Sequence, residues 1–405
     1  MKYQPDVDKI LKRKRLRVIT ILLTSSVTFM ASVVAPGLPA IYQEFSHIPE
    51  AELLTRLVLT TPMLFIALSG PFVGMVIDSY GRRNTLILST IGFGISGLSG
   101  LVLESLTTIL IGRAFLGVFL VAILTSVTAL IGDYYSGNER NRIAGLQAAF
   151  ISFGTLIYTI IAGFLTEIHW RAGFAIFAVA FLLIIPMILS LYEPTDNNKK
   201  ERMKPAKTSS MKNDWVTIVG VYVITFVTMI ILFMIPAQTP FFLLDIGINN
   251  AARAGIAVGI FSLSSGIASL AFPWLRKNFS VSFIFALIFA DVAVGYILLG
   301  MAADFYDVIL AMIVGGFSMG LFSPNANMVI LSRVTSAFRG RALSILVAVL
   351  FLGQFASPFY SLPLAKISSL GDSYLISGCI LACISTLFIV LTVYNRKNIL
   401  RRNKN

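Results

Sequence analysis

Residues 57–103 read LVLTTPMLFIALSGPFVGMVI, then DSYGRR, then NTLILSTIGFGISGLSGLVL. Two apolar runs flank six polar or turn-forming residues. Each run reaches the roughly 20 residues that a helix needs to cross a hydrocarbon core of about 30 Å. A helix satisfies its own backbone hydrogen bonds, which lipid cannot do for it. A barrel strand would instead be about ten residues of alternating polarity. Between the runs, Asp78 sits at the negative end of one helix dipole and Arg82 and Arg83 open the next helix. Gly81 permits a tight turn. The segment therefore crosses a bilayer, turns at one face and crosses back.

The same pattern fills the chain. Spans are predicted at 18–37, 57–77, 84–103, 107–132, 143–165, 172–191, 215–237, 254–274, 279–301, 307–330, 342–364 and 373–394, numbered 1 to 12 here. Of the 405 residues, 57% are hydrophobic and 13% charged, where a soluble chain carries about 25% charged residues. Mean hydropathy is +0.85. These figures exclude a soluble domain, a disordered chain and a disulfide scaffold, and the class they leave is an all-α polytopic membrane protein.

Charge orients the chain. With the N-terminus in the cytoplasm and the spans alternating, 27 of the 32 Lys and Arg residues fall inside, four fall outside (Arg56, Arg171, Arg253 and Lys366), and Arg113 lies within a span. That bias predicts both termini inside. The basic residues Lys9 to Arg17 resemble the start of a signal peptide, but the apolar run is long and Pro36 follows the one plausible cleavage position, so an uncleaved first helix is expected. The pI of 9.8 is then a topology signal; no nucleic-acid motif accompanies it.

The longest polar stretch, residues 193–214 (EPTDNNKKERMKPAKTSSMKND), divides the spans six and six. Residues 1–192 are expected to form one half, 193–214 a cytoplasmic linker, and 215–405 the other half with a basic tail. An internal repeat agrees. Arg140-x-Arg142 precedes Gly154 by the same spacing at which Arg339-x-Arg341 precedes Gly353, and Gly117 and Gly316 share the 199-residue offset. Repeated halves with a site between them at mid-membrane are a transporter architecture.

Specific motifs narrow this further. Gly74-Met-Val-Ile-Asp78-Ser-Tyr-Gly81-Arg82-Arg83, between spans 2 and 3, resembles the G-x-x-x-D-x-x-G-R-R/K signature of the major facilitator superfamily. Arg113-Ala-Phe-Leu-Gly117 on span 4 is similar to the family's R-x-x-Q-G, with Leu116 in place of Gln. Asp133 ends span 4, the Glu139-Arg140-Asn141-Arg142 loop follows, and Trp170-Arg171-Ala-Gly-Phe174 opens span 6. Together these resemble the superfamily's bacterial drug and metabolite exporters. The resemblance implies the two-half, twelve-helix fold with spans 1, 4, 7 and 10 lining the cavity. It also implies a conformational charge lock built from Gly74, Asp78, Gly81, Arg82, Arg83, Asp133, Arg140 and Arg142. Gly74 is expected where two helices approach. Asp78 is expected to find a cation at Arg82 or Arg83, or by resemblance the start of span 11.

Arg113 is costly in lipid, by about 2.5–3.5 kcal/mol on insertion scales, so it should face the protein interior. It either meets an anionic substrate group or a coupling proton, or it clamps neighbouring backbone carbonyls. Asp291, near the middle of span 9, is either a protonation site or a locally paired carboxylate on a supporting helix. Spans 1, 4, 5 and 7 hold no deep acid, although many related exporters place a coupling carboxylate there. Span 5 also departs from the exporters' G-x-x-x-G-P-x-x-G-G, with Tyr158-Thr159 and Ala162-Gly163 after Gly154. Tyr158, Gln238, Asn325, Asn327 and Gln354 are candidate cavity contacts, each equally readable as an interhelical hydrogen bond. Phe241, Phe242 and Tyr360 suit a large amphipathic ligand.

Cys379 and Cys383 read as apolar packing, and His47 and His169 form no metal cluster with other ligands. No P-loop and no hydrolase nucleophile elbow is present, so no cofactor, metal site or enzymatic activity is expected. The reading is a monomeric secondary transporter in a bacterial inner membrane, with lipid, protons and a small-molecule substrate as partners. Proton-coupled export of an amphipathic drug or a secreted metabolite, such as a metal chelator (siderophore), is the leading function. Uptake of a small organic anion by proton symport is the alternative, and a membrane sensor or integral enzyme is the reading from another class.

Overall fold

A computed structural model describes residues 7–194, 214–335 and 338–402, with side chains from 14 to 393 within those ranges. Most of the expected linker, residues 195–213, lies outside them. Among the described residues twelve helices are long and apolar enough to cross a membrane. They are span 1 (Lys14–Glu44), span 2 (Ala51–Tyr80), span 3 (Arg82–Leu101), span 4 (Leu106–Tyr134), span 5 (Gly137–Ile168), span 6 (Trp170–Ser190), span 7 (Trp215–Asp245), span 8 (Ala251–Asn278), span 9 (Val281–Gly300), span 10 (Phe305–Arg333), span 11 (Arg339–Ile367) and span 12 (Leu370–Val393). An even count puts both ends of the chain at one face, here the terminal face; the other is the distal face.

Several spans overrun their predicted ends by up to seven or eight residues. The hydropathy signal stops where polar residues begin, but the helices continue past it. The correction matters at span 2, which begins at Ala51 and so contains Arg56. Arg113 is therefore not the sole basic residue within a span. Helix starts are capped by the residues expected for the task. Ser105, Asn250 and Ser280 accept hydrogen bonds from the backbone N–H of Thr108, Arg253 and Phe283, and Asp304 forms a reciprocal capping box with Asp307.

Each half repeats one set of neighbours. Spans 2 and 4, 3 and 4, 3 and 6, and 1 and 5 pack together in the first half; 8 and 10, 9 and 10, 9 and 12, and 7 and 11 do so in the second. There are two buried apolar clusters, one centred on each half, and the first takes in Phe233, Ala237 and Phe241 of span 7 and Phe351 of span 11. Lipid leaves little hydrophobic drive for helix association, so packing depends on close backbone approach. Gly154 of span 5 faces Ser26 of span 1, and Gly353 of span 11 faces Phe226 and Met229 of span 7. Gly117 of span 4 faces Pro62 of span 2, and Gly316 of span 10 faces Phe261 of span 8. The glycine repeat seen in the sequence is thus a repeat of contacts.

The first span of each half is irregular. Span 1 passes into a 3-10 stretch at Val27–Gly37 that contains Pro36. Span 7 ends one helix at Leu232 and starts another at Met234. Loosened backbone at equivalent places in two halves is tolerated where it borders protein or a cavity. Between the halves, span 5 packs on span 8 and span 2 on span 11.

Candidate functional site

The two halves are joined at the distal face. Arg56, 2% exposed, donates from Nε and Nη2 to Gln238 Oε1 at 3.0 and 2.8 Å, and the Gln238 amide donates on to Ser361 Oγ at 2.8 Å. The guanidinium also lies over the Phe241 ring at 4.0 Å. Nearer the surface, Lys366 pairs with Glu52 at 3.4 Å. Glu167 of span 5 accepts the Ala252 N–H of span 8 at 3.1 Å. Tyr42 meets Phe241 edge-on. Tyr42, Glu52, Arg56, Phe241, Asp245 and Lys366 line a distal vestibule of about 410 Å³.

The terminal face differs. Among the described residues no side-chain hydrogen bond or ion pair crosses between the halves there. Gly70 and Gly74 on span 2 and Gly145 on span 5 face open space. The close helix approach expected at Gly74 is absent, because the halves are apart at this end. Asp78 is exposed and, among the described residues, makes no hydrogen bond or ion pair. The expected pairing with Arg82 or Arg83 does not form. Arg82 instead pairs with Asp133, whose side chain is 6% exposed at the end of span 4. A buried carboxylate at the negative end of a helix is costlier to leave alone than a solvated one. Arg83 donates to the backbone carbonyls of Leu191 and Ile188 at 2.9 and 3.2 Å. Arg140 lies beside the backbone at Gly132, and Arg142 is exposed.

Glu193 completes this turn. Its carboxylate accepts the backbone N–H groups of Arg82 and Arg83 at 2.6 and 2.9 Å, at the positive end of span 3. Gly81 sits at φ +86°, and a Cβ there would lie 2.7 Å from the Glu193 carboxylate. Glycine is thus required twice, for conformation and for space.

In the middle of the first half, Arg113 is 1% exposed. Its Nε donates to Val58 O at 2.8 Å and its Nη2 to Ala31 O at 2.5 Å, and the guanidinium lies 5.6 Å from the Phe177 ring centre. It therefore ties spans 1, 2, 4 and 6 together, with only Nη1 left over. Tyr158 OH lies 2.8 Å from Ser26 Oγ, where span 1 begins to loosen. Gln354 and Met229 face one another at the span 7–11 contact, a 4.0 Å amide-to-sulfur approach. The remaining candidates scatter. Gln238 belongs to the distal closure. Asn325 is buried and donates to Val281 O at 3.2 Å, and Asn327 is half-buried without a hydrogen bond. Asp291 accepts the Ser318 N–H at 3.0 Å, between spans 9 and 10 and away from the interface of the halves.

The family model of the Major Facilitator Superfamily matches residues 20–358. The chain belongs to the major facilitator superfamily. Multidrug resistance protein 1 of Bacillus subtilis (strain 168) is 33% identical over 140 residues, which span 34% of this chain and 36% of that protein. The 3-(3-hydroxy-phenyl)propionate transporter of Escherichia coli (strain K12) is 23% identical over 293 residues, 70% of this chain and 71% of its own. Among solved structures, a D-xylose-proton symporter aligns with a TM-score of 0.71 at 18% identity, covering 94% of this chain and 97% of that one.

For a superfamily transporter, the arrangement supplies a closure at one face, an open separation at the other, and irregular spans 1 and 7 between them. Reading the sequence missed Arg56, Glu52, Lys366, Ser361 and Glu193. A signal existed for two of them: Glu52 and Arg56 stand four apart, the spacing of a helical ion pair, and their side chains meet at 3.3 Å. Glu193 was hidden because its partners are backbone groups 111 and 110 residues away.

Proposed function

We propose that this transporter exports an amphipathic drug or secreted metabolite across the bacterial cytoplasmic (inner) membrane, in exchange for protons, by alternating access of its two halves. The terminal face is then cytoplasmic, a placement that the 27 to 4 distribution of basic residues supports, and the described state is open inward. Residues 1–192 and 215–405 are the rocking units, with 193–214 as the cytoplasmic linker. Arg82–Asp133, the Gly81 turn and Glu193 hold the loop from which Asp78 reaches the second half when the terminal face closes.

The observation that carries this reading is the covering of Arg113. Its Nε and Nη2 are directed at main-chain carbonyls, so Arg113 is largely withdrawn from a ligand held between the halves. That suits a bulky amphipathic molecule better than a small anion, which needs a presented cation. The resemblance to a protein named for multidrug resistance agrees. The alternative, uptake of an organic anion, draws on the free Arg113 Nη1 and on the relative named as a phenylpropionate transporter.

Everted membrane vesicles from cells making the protein decide between them. An amphipathic fluorescent dye should accumulate when the lumen is acid, and a protonophore should abolish this. Absence of dye transport, with proton-dependent uptake of an aromatic carboxylate in right-side-out vesicles, would replace export by the alternative.

A further inference from the structure

Arg56 is a fully engaged buried cation that the family signature does not account for. Its Nη1 stays within its own half, donating to Glu52 O at 3.1 Å and pairing with Glu52 Oε1 at 3.3 Å. Its Nε and Nη2 cross to the other half and converge on one neutral acceptor, Gln238 Oε1. Gln238 is itself fully buried and tied to Ser361, so spans 7 and 11 are both held through it. The carboxylate is in cis and the amide is in trans. Among the described residues, the one ion pair that crosses the distal interface, Lys366–Glu52, has side chains 67% and 34% accessible and is screened accordingly.

We propose that Arg56 is a positioning residue of the transport cycle, the latch that holds the distal face closed, and that its trans partner is an amide so that the latch releases. When the distal face opens, Arg56 keeps its charge satisfied by Glu52 and gives up hydrogen bonds to a neutral group. A carboxylate at position 238 would instead make a charge-assisted fork across a buried interface, far harder to part. Span 2 is one helix from Ala51 to Tyr80 with Pro62 and Pro71 inside it, so Arg56 and Asp78 stand roughly 33 Å apart at its opposite ends. In the described state Arg56 is engaged and Asp78 is free. When the halves rock, one end of span 2 meets the opposite half as the other leaves it, so the two contacts alternate.

The proposal rests on alternating access, and the test separates the two. Spin labels at His47→Cys with Asn249→Cys report the distal face, and Asn138→Cys with Lys277→Cys the terminal face, with Cys379→Ala and Cys383→Ala removing the native thiols. Distance distributions are measured in liposomes by double electron–electron resonance. A wild-type protein whose distances do not respond to dye and a proton gradient overturns alternating access and the latch with it. With a responsive wild type, Arg56→Leu should raise the distal-open population about tenfold, the change that a charged hydrogen bond carries. Gln238→Glu should lower it by a similar factor and slow dye export. Opposite shifts from two sides of one contact are not produced by general loosening. If Arg56→Leu does not fold, Gln238→Leu takes its place with the same expected direction. A wild-type distribution in both variants, or a shift of both in one direction, overturns the latch while leaving alternating access standing.

Discussion

Arg113 shows how much one residue's environment changes its meaning. Its cost in lipid required it to be inward-facing, and it is. What it faces is the main chain of spans 1 and 2. Arg113→Ala would strand the Ala31 and Val58 acceptors, each charged hydrogen bond contributing about 1.5–3 kcal/mol, so a fall in thermal stability in detergent should accompany loss of transport. Arg113→Lys keeps the charge but not the planar fork and should transport partially at reduced stability. Dye affinity measured by fluorescence should change little in either variant; a tenfold loss of affinity without loss of stability would instead make Arg113 a substrate contact. Asp291 gives the converse case. As a local acceptor for the Ser318 N–H it is replaceable by the isosteric amide, so Asp291→Asn should cost no more than about 1 kcal/mol and retain proton-driven export. Loss of coupling with normal dye binding would make it the proton site.

The elements were legible in the sequence to the extent that lipid imposes them. Apolar length gave all twelve spans because a helix alone satisfies its backbone in hydrocarbon within a single segment. Their ends were not legible, since helices outlast the hydrophobic signal, and that cost the reading of Arg56. The glycines at a 199-residue offset were visible as a pattern, but their physical content is the pairing of Gly154 with span 1 and Gly353 with span 7. A leucine at either site would drive into backbone or Cβ atoms of the neighbouring span. Gly154→Leu and Gly353→Leu should each lower stability by about 1–3 kcal/mol, the cost of overpacking. Gly145→Leu, which meets open space, should melt like wild type. Equal melting of all three would show that these spans do not depend on close approach. The signature loop was recognised from spacing alone, yet its partners were assigned by proximity in sequence. Arg82 goes to Asp133 and the backbone goes to Glu193, because a burial penalty outranks nearness along the chain.

At the scale of the whole molecule, a closure at the distal end of span 2, no cross-half side-chain hydrogen bond or ion pair among the described residues at its other end, and irregular first spans in each half support the proposed alternating access. The proposed orientation rests on the basic residues, and reporter fusions at Lys200 and Asn405 should both give the cytoplasmic signal; an extracytoplasmic signal at either would invert the direction of every step. The substrate was not legible, since the candidate polar residues engage one another and the backbone and do not converge on one site. Asp78→Asn should leave insertion and dye binding intact while removing the contact that closes the terminal face, trapping the described state and abolishing export. The most direct measurement is proton movement in proteoliposomes holding the purified protein and a pH-sensitive dye. Adding an amphipathic substrate on the side that the terminal face meets should drive protons across in the opposite direction, in wild type and not in Asp78→Asn. Substrate movement with no accompanying proton flux, or proton flux in the same direction as the substrate, would contradict proton-coupled export.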